Sequence, residues 1–168
     1  MDLIPEAIQF GPSGAMPNNP WLPMLVYRGA LPADTVDMAA AFEALFGRNG
    51  WPAQWRNGIY SYHHYHADVH EVLGIARGAT EVLLGGPEGL SVTVAAGDVI
   101  VLPAGTGHRN MTPEADLLTV GAYPPGAVCD VRRDPLPPDA LARMRSVSFP
   151  MRDPVTGAAG ALPRLWAR

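Results

Sequence analysis

GIYSYHHYHADVHEVLGIARG, from Gly58 to Gly78, is the stretch whose reading decides the fold. It carries four of the chain's five histidines, His63, His64, His66 and His70, and a carboxylate, Glu71, directly after the last of them. Imidazole nitrogens and a carboxylate this close together, with strand-forming residues between them, suggest a divalent metal held inside a β-barrel. In a strand, side chains at i and i+2 share a face, so His64 and His66 point the same way as Tyr60 and Tyr62, while Ser61, His63 and Tyr65 point the other way. The chain is then expected to turn through Ala67-Asp68-Val69 and return with Glu71, Leu73 and Ile75 on one face and His70, Val72 and Gly74 on the other. A hairpin that sets Glu71 opposite His64 and His66 would bring two imidazoles and a carboxylate to one point and leave open positions on an octahedral ion.

Downstream of this stretch, strand and turn signals alternate with little interruption. Ala79 to Leu84, Leu90 to Ala95, Val99 to Leu102 and Asp116 to Ala122 read as strands. GGPEG at Gly85 to Gly89 and Gly97-Asp98 read as tight turns. The remaining histidine, His108, follows VIVLP and the loop AGTG, whose glycines let the backbone bend, so it can be carried back toward the same interior. About seven short strands at this spacing describe a sandwich or barrel.

Two segments within this region resemble the paired motifs of the cupin superfamily. The first runs Gly, five residues, His-any-His, three or four residues, Glu, six residues, Gly, and is met by Gly58, His64, His66, Glu71 and Gly78. The second runs Gly, five residues, Pro, any, Gly, two residues, His, three residues, Asn. Gly97, Pro103, Gly105 and His108 meet it, but Thr112 stands where Asn is expected and Asn110 lies two places earlier. The resemblance implies an all-β, single-domain double-stranded β-helix, the jelly-roll barrel. It also implies His64, His66, Glu71 and His108 as ligands of one divalent transition metal per chain: iron, manganese, nickel or zinc. The departure at Thr112 bears on the loop rather than on the metal. His63 is expected to face away from the metal, and His70 to be a bystander or subunit-contact residue.

Outside the motifs the chain divides into an N-terminal arm, strand and helix over residues 1–50, a barrel core over 51–123 and an extension over 124–168 that packs on the barrel, all in one domain. Residues 1–20 hold four prolines and read as an irregular arm over the outside. Leu22 to Leu31 reads as a strand, and Asp34 to Gly47 as a helix capped by Asp34, stopped by Gly47 and covering one side of the barrel. Pro138 to Arg145 could form a short helix beginning at proline.

Composition removes several function classes. The twelve basic residues are all arginine, which excludes lysine Schiff-base chemistry, and a net charge of −4 without a basic stripe argues against nucleic acid. No apolar run approaches the roughly 18 to 20 residues of a membrane span, and the N-terminus lacks the basic start and apolar core of a secretory signal, so a cytoplasmic chain is expected. Cys129 is the single cysteine; it forms no intrachain disulfide and reads as an incidental thiol. Tyr60 and Tyr62 are candidate substrate-binding residues beside the metal, though tyrosines in barrels more often fill the core. Arg28, Arg77 and Arg109 are candidate clamps for a substrate carboxylate. Trp51 and Trp55 read as a hydrophobic cover, one of which could line a pocket.

Two functions are consistent with these residues: a metal-dependent enzyme on a small oxygen-rich or carboxylated metabolite, whether oxygenase, isomerase or lyase, and a non-catalytic cupin in which the metal only anchors a small-molecule ligand. The ligand set is shared across cupin reactions and does not choose among them. A homodimer paired through sheet edges is the expected assembly.

Overall fold

The computed structural model describes residues 2–113 and 116–167. In chain order the elements are β1 (Glu6–Ile8), β2 (Met24–Tyr27), α1 (Met38–Arg48), β3 (Ala53–Asn57), β4 (Glu71–Arg77), β5 (Ala79–Leu84), β6 (Leu90–Ala95), β7 (Val99–Leu102), β8 (His108–Asn110), β9 (Leu118–Ala122), α2 (Pro138–Met144) and α3 (Ala161–Leu165). Six strands form one antiparallel sheet in the order β1-β2-β7-β4-β9-β3, and three form a second in the order β6-β5-β8. The two antiparallel sheets enclose a shared core, which makes the chain an all-β jelly roll of one domain.

The alternation of apolar residues assigns each strand its two faces. Leu73 and Ile75 of β4 join Ile100 and Leu102 of β7, Met24 and Val26 of β2, and Val82 and Leu84 of β5 in the core between the sheets. The intervening residues Val72, Val99, Val101, Val120 and Ala122 face outward into a second core beneath α1, with Phe42, Phe46 and Trp51. Fully burying a side chain of this size contributes about 1.5–3 kcal/mol. Gly74 belongs to this outer face, and a Cβ there would lie 2.7 Å from the Phe42 ring, so glycine is what lets the helix lie flat on the sheet.

The helix begins three residues later than the cap expected at Asp34. Asp37 is the N-cap, its carboxylate accepting from the Ala40 amide, and Val36 is fully exposed. Gly47 lies inside the helix rather than ending it. The chain stops at Asn49-Gly50, where Gly50 takes φ +85° and the amides of Gly50 and Trp51 bond the carbonyls of Gly47 and Phe46 in a Schellman closure.

Both terminal regions are tied to the barrel. The arm contains the short strand β1, which the sequence pattern did not disclose because the arm's four prolines and its glycines mask a register set by β2. It is then anchored by Asn18, whose side chain bonds the carbonyls of Gly11 and Gly85 and the amide of Gly107, and by Asn19, which bonds the Ala104 carbonyl and the Trp21 and Leu22 amides. The sheets also take in β1 and β2, so the barrel starts before residue 51. In the extension, fully buried Asp153 accepts from the Tyr27 hydroxyl and the amides of Val155, Thr156 and Leu162. Trp166 donates to the Pro23 carbonyl at 2.8 Å. Among the described residues, no helix is long and apolar enough to cross a membrane.

Candidate metal centre

Residues 60–66 do not form the strand that their alternation predicts, and residues 58–70 as a whole lie outside the strands. They run irregularly from β3 to β4, bonded to neighbouring backbone at isolated points: bridges pair His64 with His108 and Tyr65 with Arg132, and the carbonyls of Tyr60 and His66 accept from the Asn110 and Gly105 amides. No hairpin pairs this segment with β4. Glu71 instead opens β4, which is hydrogen-bonded to β7 on one side and β9 on the other. The strand pattern of this segment is overridden because its backbone bonds to β8 and to the extension.

The irregular path nevertheless brings the histidines together. His64, His66 and His108 are all buried, and one ring nitrogen of each lies within 4.8 Å of the others. The three rings are held in the same manner: Nδ1 of His64 bonds the Tyr62 carbonyl at 3.0 Å, Nδ1 of His108 bonds the Thr106 carbonyl at 3.0 Å, and Nδ1 of His66 bonds the Asp130 carbonyl. A carbonyl can only accept, so each Nδ1 carries a proton, and each Nε2 is the atom that would give its lone pair to a metal, once any second proton has left. The Nε2 atoms of His66 and His108 each stand 3.3 Å from Glu71 Oε1. Three imidazoles with fixed tautomers, beside a buried carboxylate, are a donor set that could hold a transition metal. Glu71 joins the group through two of the three histidines, and the mutually close set is the histidine trio.

Without a metal the cluster arranges its protons around Glu71. Burial opposes charge on His64, His66 and Glu71. It drives His64 down to about 2, helped by the neighbouring His108, so His64 stays neutral. On His66 the same burial is outweighed by the negative charge and hydrogen bond of Glu71, with help from Cys129, which lift it to about 11. Burial likewise pushes Glu71 up, but His66 and His108 together hold it well below the usual carboxylate range. A cation beside Glu71 is therefore favoured, whether proton or metal.

The cluster forms the floor of a cavity of about 320 Å³. Its walls are Trp55, Asn57, Gly58, Ile59, Tyr60, Leu73, Tyr123, Cys129 and Val131. Tyr60 lines it, its ring edge-on to His64 at 5.1 Å. Tyr62 does not line it: the ring stacks on Tyr60 at 4.9 Å and belongs to a separate recess, because residues 60–62 are bent rather than extended. Trp55 is a wall residue, donating to the Tyr123 hydroxyl at 2.7 Å, whereas Trp51 is core. Arg28 pairs with Glu6 and Asp98, Arg77 bonds the Asp116 carbonyl, and Arg109 lines the other recess, so none of the three reaches this cavity.

Three participants lie outside both motifs. Cys129 is not isolated from histidine: its Sγ lies 3.3 Å from His66 Nδ1, across about sixty residues of chain. Tyr123 ends the strand run, and burial, reinforced by the charge of Glu71, pushes its hydroxyl far above the usual range and keeps it protonated. Asp130 supplies the carbonyl that orients His66, while its carboxylate accepts from the amides of Ala67 and Asp68 and pairs with Arg132 at 2.7 Å. The Pro124-Pro125-Gly126 break was the one local signal that chain here leaves the sheet.

The other two histidines serve different ends. His70 is fully buried, with Nδ1 accepting from the Ala104 amide at 2.9 Å, Nε2 donating to the Val147 carbonyl at 3.1 Å, and Phe149 and Trp166 against its ring. It fastens the extension to the barrel. His63 lines the second recess. The second motif's displaced asparagine closes the end of β8: Asn110 Oδ1 accepts from the Thr80 hydroxyl and the Thr112 amide, while Thr112 Oγ1 accepts from the Glu81 amide.

No model of a known protein family matches the chain. It is 33% identical over 161 residues to the uncharacterized protein YjlB of Bacillus subtilis, covering 95% of this chain and 94% of that one. The chain belongs to the YjlB family. Among solved structures, a cupin 2 domain-containing protein from Halorhodospira halophila is similar at 13% identity and TM-score 0.34, over 86% of this chain and 77% of that one. The dTDP-6-deoxy-D-glucose-3,5-epimerase of Legionella pneumophila is similar at 12% identity and TM-score 0.39, over 80% of this chain and 74% of that one.

Proposed function

We propose that this YjlB-family chain binds one divalent transition metal through His64, His66, His108 and Glu71, and acts as a metal-dependent enzyme on a small oxygen-rich or carboxylated metabolite. The observation that supports this most directly is the shared orientation of the rings. Each Nδ1 is committed to a backbone carbonyl, which leaves three Nε2 atoms beside one carboxylate at the floor of a cavity of about 320 Å³. Histidines that were only core fillers would have no reason to share a tautomer and a focus.

A bound ion would supply a Lewis acid for a substrate oxygen, or a redox centre if it is iron. The chain's own residues would do the rest. Ile59, Leu73 and Val131 give the cavity apolar walls that exclude water. The Tyr123 hydroxyl already accepts from Trp55, and its high pKa keeps its proton available to donate to a substrate oxygen. Half-exposed Tyr60 would bound the mouth. The cavity is of a size suited to a small metabolite.

Elemental analysis of protein purified under reducing, anaerobic conditions tests the reading. We expect iron, manganese, nickel or zinc at one per chain, lost in both His64→Ala and His108→Ala. Full metal retention in both variants would sink it. Stoichiometric iron with substrate-dependent oxygen consumption would mark an oxygenase; the other metals would leave a non-redox enzyme or a metal-anchored binder.

A further inference from the structure

The bridge that carries two of the candidate ligands has a second side. His63 precedes His64 and Arg109 follows His108, and where His64 and His108 line the metal cavity, His63 and Arg109 line a separate recess of about 390 Å³. Ser61, Tyr62, Arg133 and Pro87 complete most of its wall, with Met16 of the N-terminal arm. No carboxylate lines it among the described residues.

Two arginines without counter-charges in one recess are unusual in a chain of net charge −4. Adjacent Arg132 shows the ordinary arrangement, paired with Asp130 at 2.7 Å and Asp68 at 3.7 Å. Arg133 and Arg109 take part in no ion pair among the described residues. Arg133 is held instead by the face of Tyr62, with its guanidinium carbon 4.1 Å from the ring centroid, which fixes the side chain without neutralising it. Arg109 Nε and His63 Nδ1 are buried and have no hydrogen-bond partner among the described residues. Glu81, on the strand beside Arg109, is engaged by the Ser91 hydroxyl. Arg109 is partly buried, and an uncompensated cation in that setting raises the energy of the folded chain unless an anion binds there.

We propose that this recess is a binding site for a small oxyanion, a carboxylate or a phosphate, held by the guanidinium groups of Arg109 and Arg133 with the Ser61 hydroxyl beside them. The planar fork of arginine matches the geometry of both anions. The apolar share of the wall, from Met16, Pro87 and Ala15, gives room for a short hydrocarbon body and favours the carboxylate. The site is independent of metal binding, although it lies behind the bridge that carries His64 and His108.

Calorimetric titration of the intact protein with inorganic phosphate and, separately, with butyrate tests this, at ionic strength held constant with sodium chloride. We expect saturable binding of at least one of the two, weakened about tenfold or more in Arg133→Gln and in Arg109→Gln. Arg133 is exposed, so its substitution leaves the fold intact, and the metal content of Arg133→Gln should equal that of the parent. Binding should persist in His66→Ala, which disables the metal centre without touching the recess. Phosphate binding without butyrate binding would assign the site to phosphoryl groups, and the reverse to carboxylates. The proposal is overturned if neither anion binds, if binding survives both arginine substitutions, or if it disappears in His66→Ala, which would place the anion at the metal centre.

Discussion

Glu71 and the histidines opposite it are held by two different kinds of structure. Glu71 begins β4, a strand of the large sheet with partners on both sides, and the residues behind it are packed against both cores. His64 and His66 lie on thirteen residues of irregular chain, 58–70, secured by two isolated bridges and by the Asp130 carboxylate and carbonyl. The carboxylate is thus fixed by the sheet, and the imidazoles by side-chain-to-backbone bonds that a sheet does not need. A perturbation of the first should cost stability. A perturbation of the second should cost metal affinity first.

The largest effect should follow from Glu71→Ala. In the metal-free protein it removes the partner of His66 and of His108 at a site only 2% exposed. Breaking a buried ion pair costs about 3–5 kcal/mol. His66 can discharge its proton once Glu71 is gone, so we expect about 3 kcal/mol by denaturant unfolding, together with loss of bound metal. Next comes Gly74→Val, which touches no ligand. Its Cβ would meet the Phe42 ring at 2.7 Å, and overpacking of this kind costs about 1–3 kcal/mol, with metal stoichiometry unchanged. A Gly74→Val protein that lost its metal while keeping its stability would break the division between the two regions.

Asp130→Ala sharpens the other side of the comparison. The carboxylate accepts from the Ala67 and Asp68 amides and from Arg132, and although burial pushes it up, Arg132 and those amides hold it below the usual carboxylate range. Removing it frees the chain that follows His66. We expect roughly 1–2 kcal/mol of lost stability and a 10–100-fold weaker metal affinity, the range found when groups that orient ligands are removed. Equal metal affinity in parent and variant would mean that the histidine positions do not depend on the extension.

What could be read from the chain follows the same division. The faces of β4 were legible because Glu71, Leu73 and Ile75 alternate with Val72 and Gly74, and a strand buried on both sides must obey that period. The turns at Gly85–Gly89 and Gly97-Asp98 were legible from glycine. Residues 58–66 carry the same alternation without being a strand, since tyrosine and histidine favour strands but cannot supply backbone partners. Asp130, Cys129 and Tyr123 could not be found from the sequence, because nothing local marks residues that meet His66 or Glu71 only after the extension folds back over the barrel.

The metal-free protein should also depend on pH, with His66 acting in one direction and with His64 and Glu71 acting in the other. His66 is raised in the folded state to about 11, above its ordinary value of about 6.5, so its contribution is complete below about 6.5 and is lost as pH rises toward 11. His64 is lowered to about 2, so the folded state excludes a proton that the unfolded chain accepts, and its contribution is present above about 6.5 and lost as pH falls. Glu71 is also lowered, and its contribution goes in the same direction as pH falls below the ordinary carboxylate range. The cluster should therefore be most stabilising near pH 6.5, with no single group contributing a slope steeper than about 1.4 kcal/mol per pH unit. Denaturant unfolding of chelated protein across pH 5 to 9 should give this maximum, and Glu71→Ala should abolish the alkaline limb, because His66 then has no charge to hold its proton. An alkaline limb that survives in Glu71→Ala would mean that the imidazolium is held by something other than the carboxylate of β4.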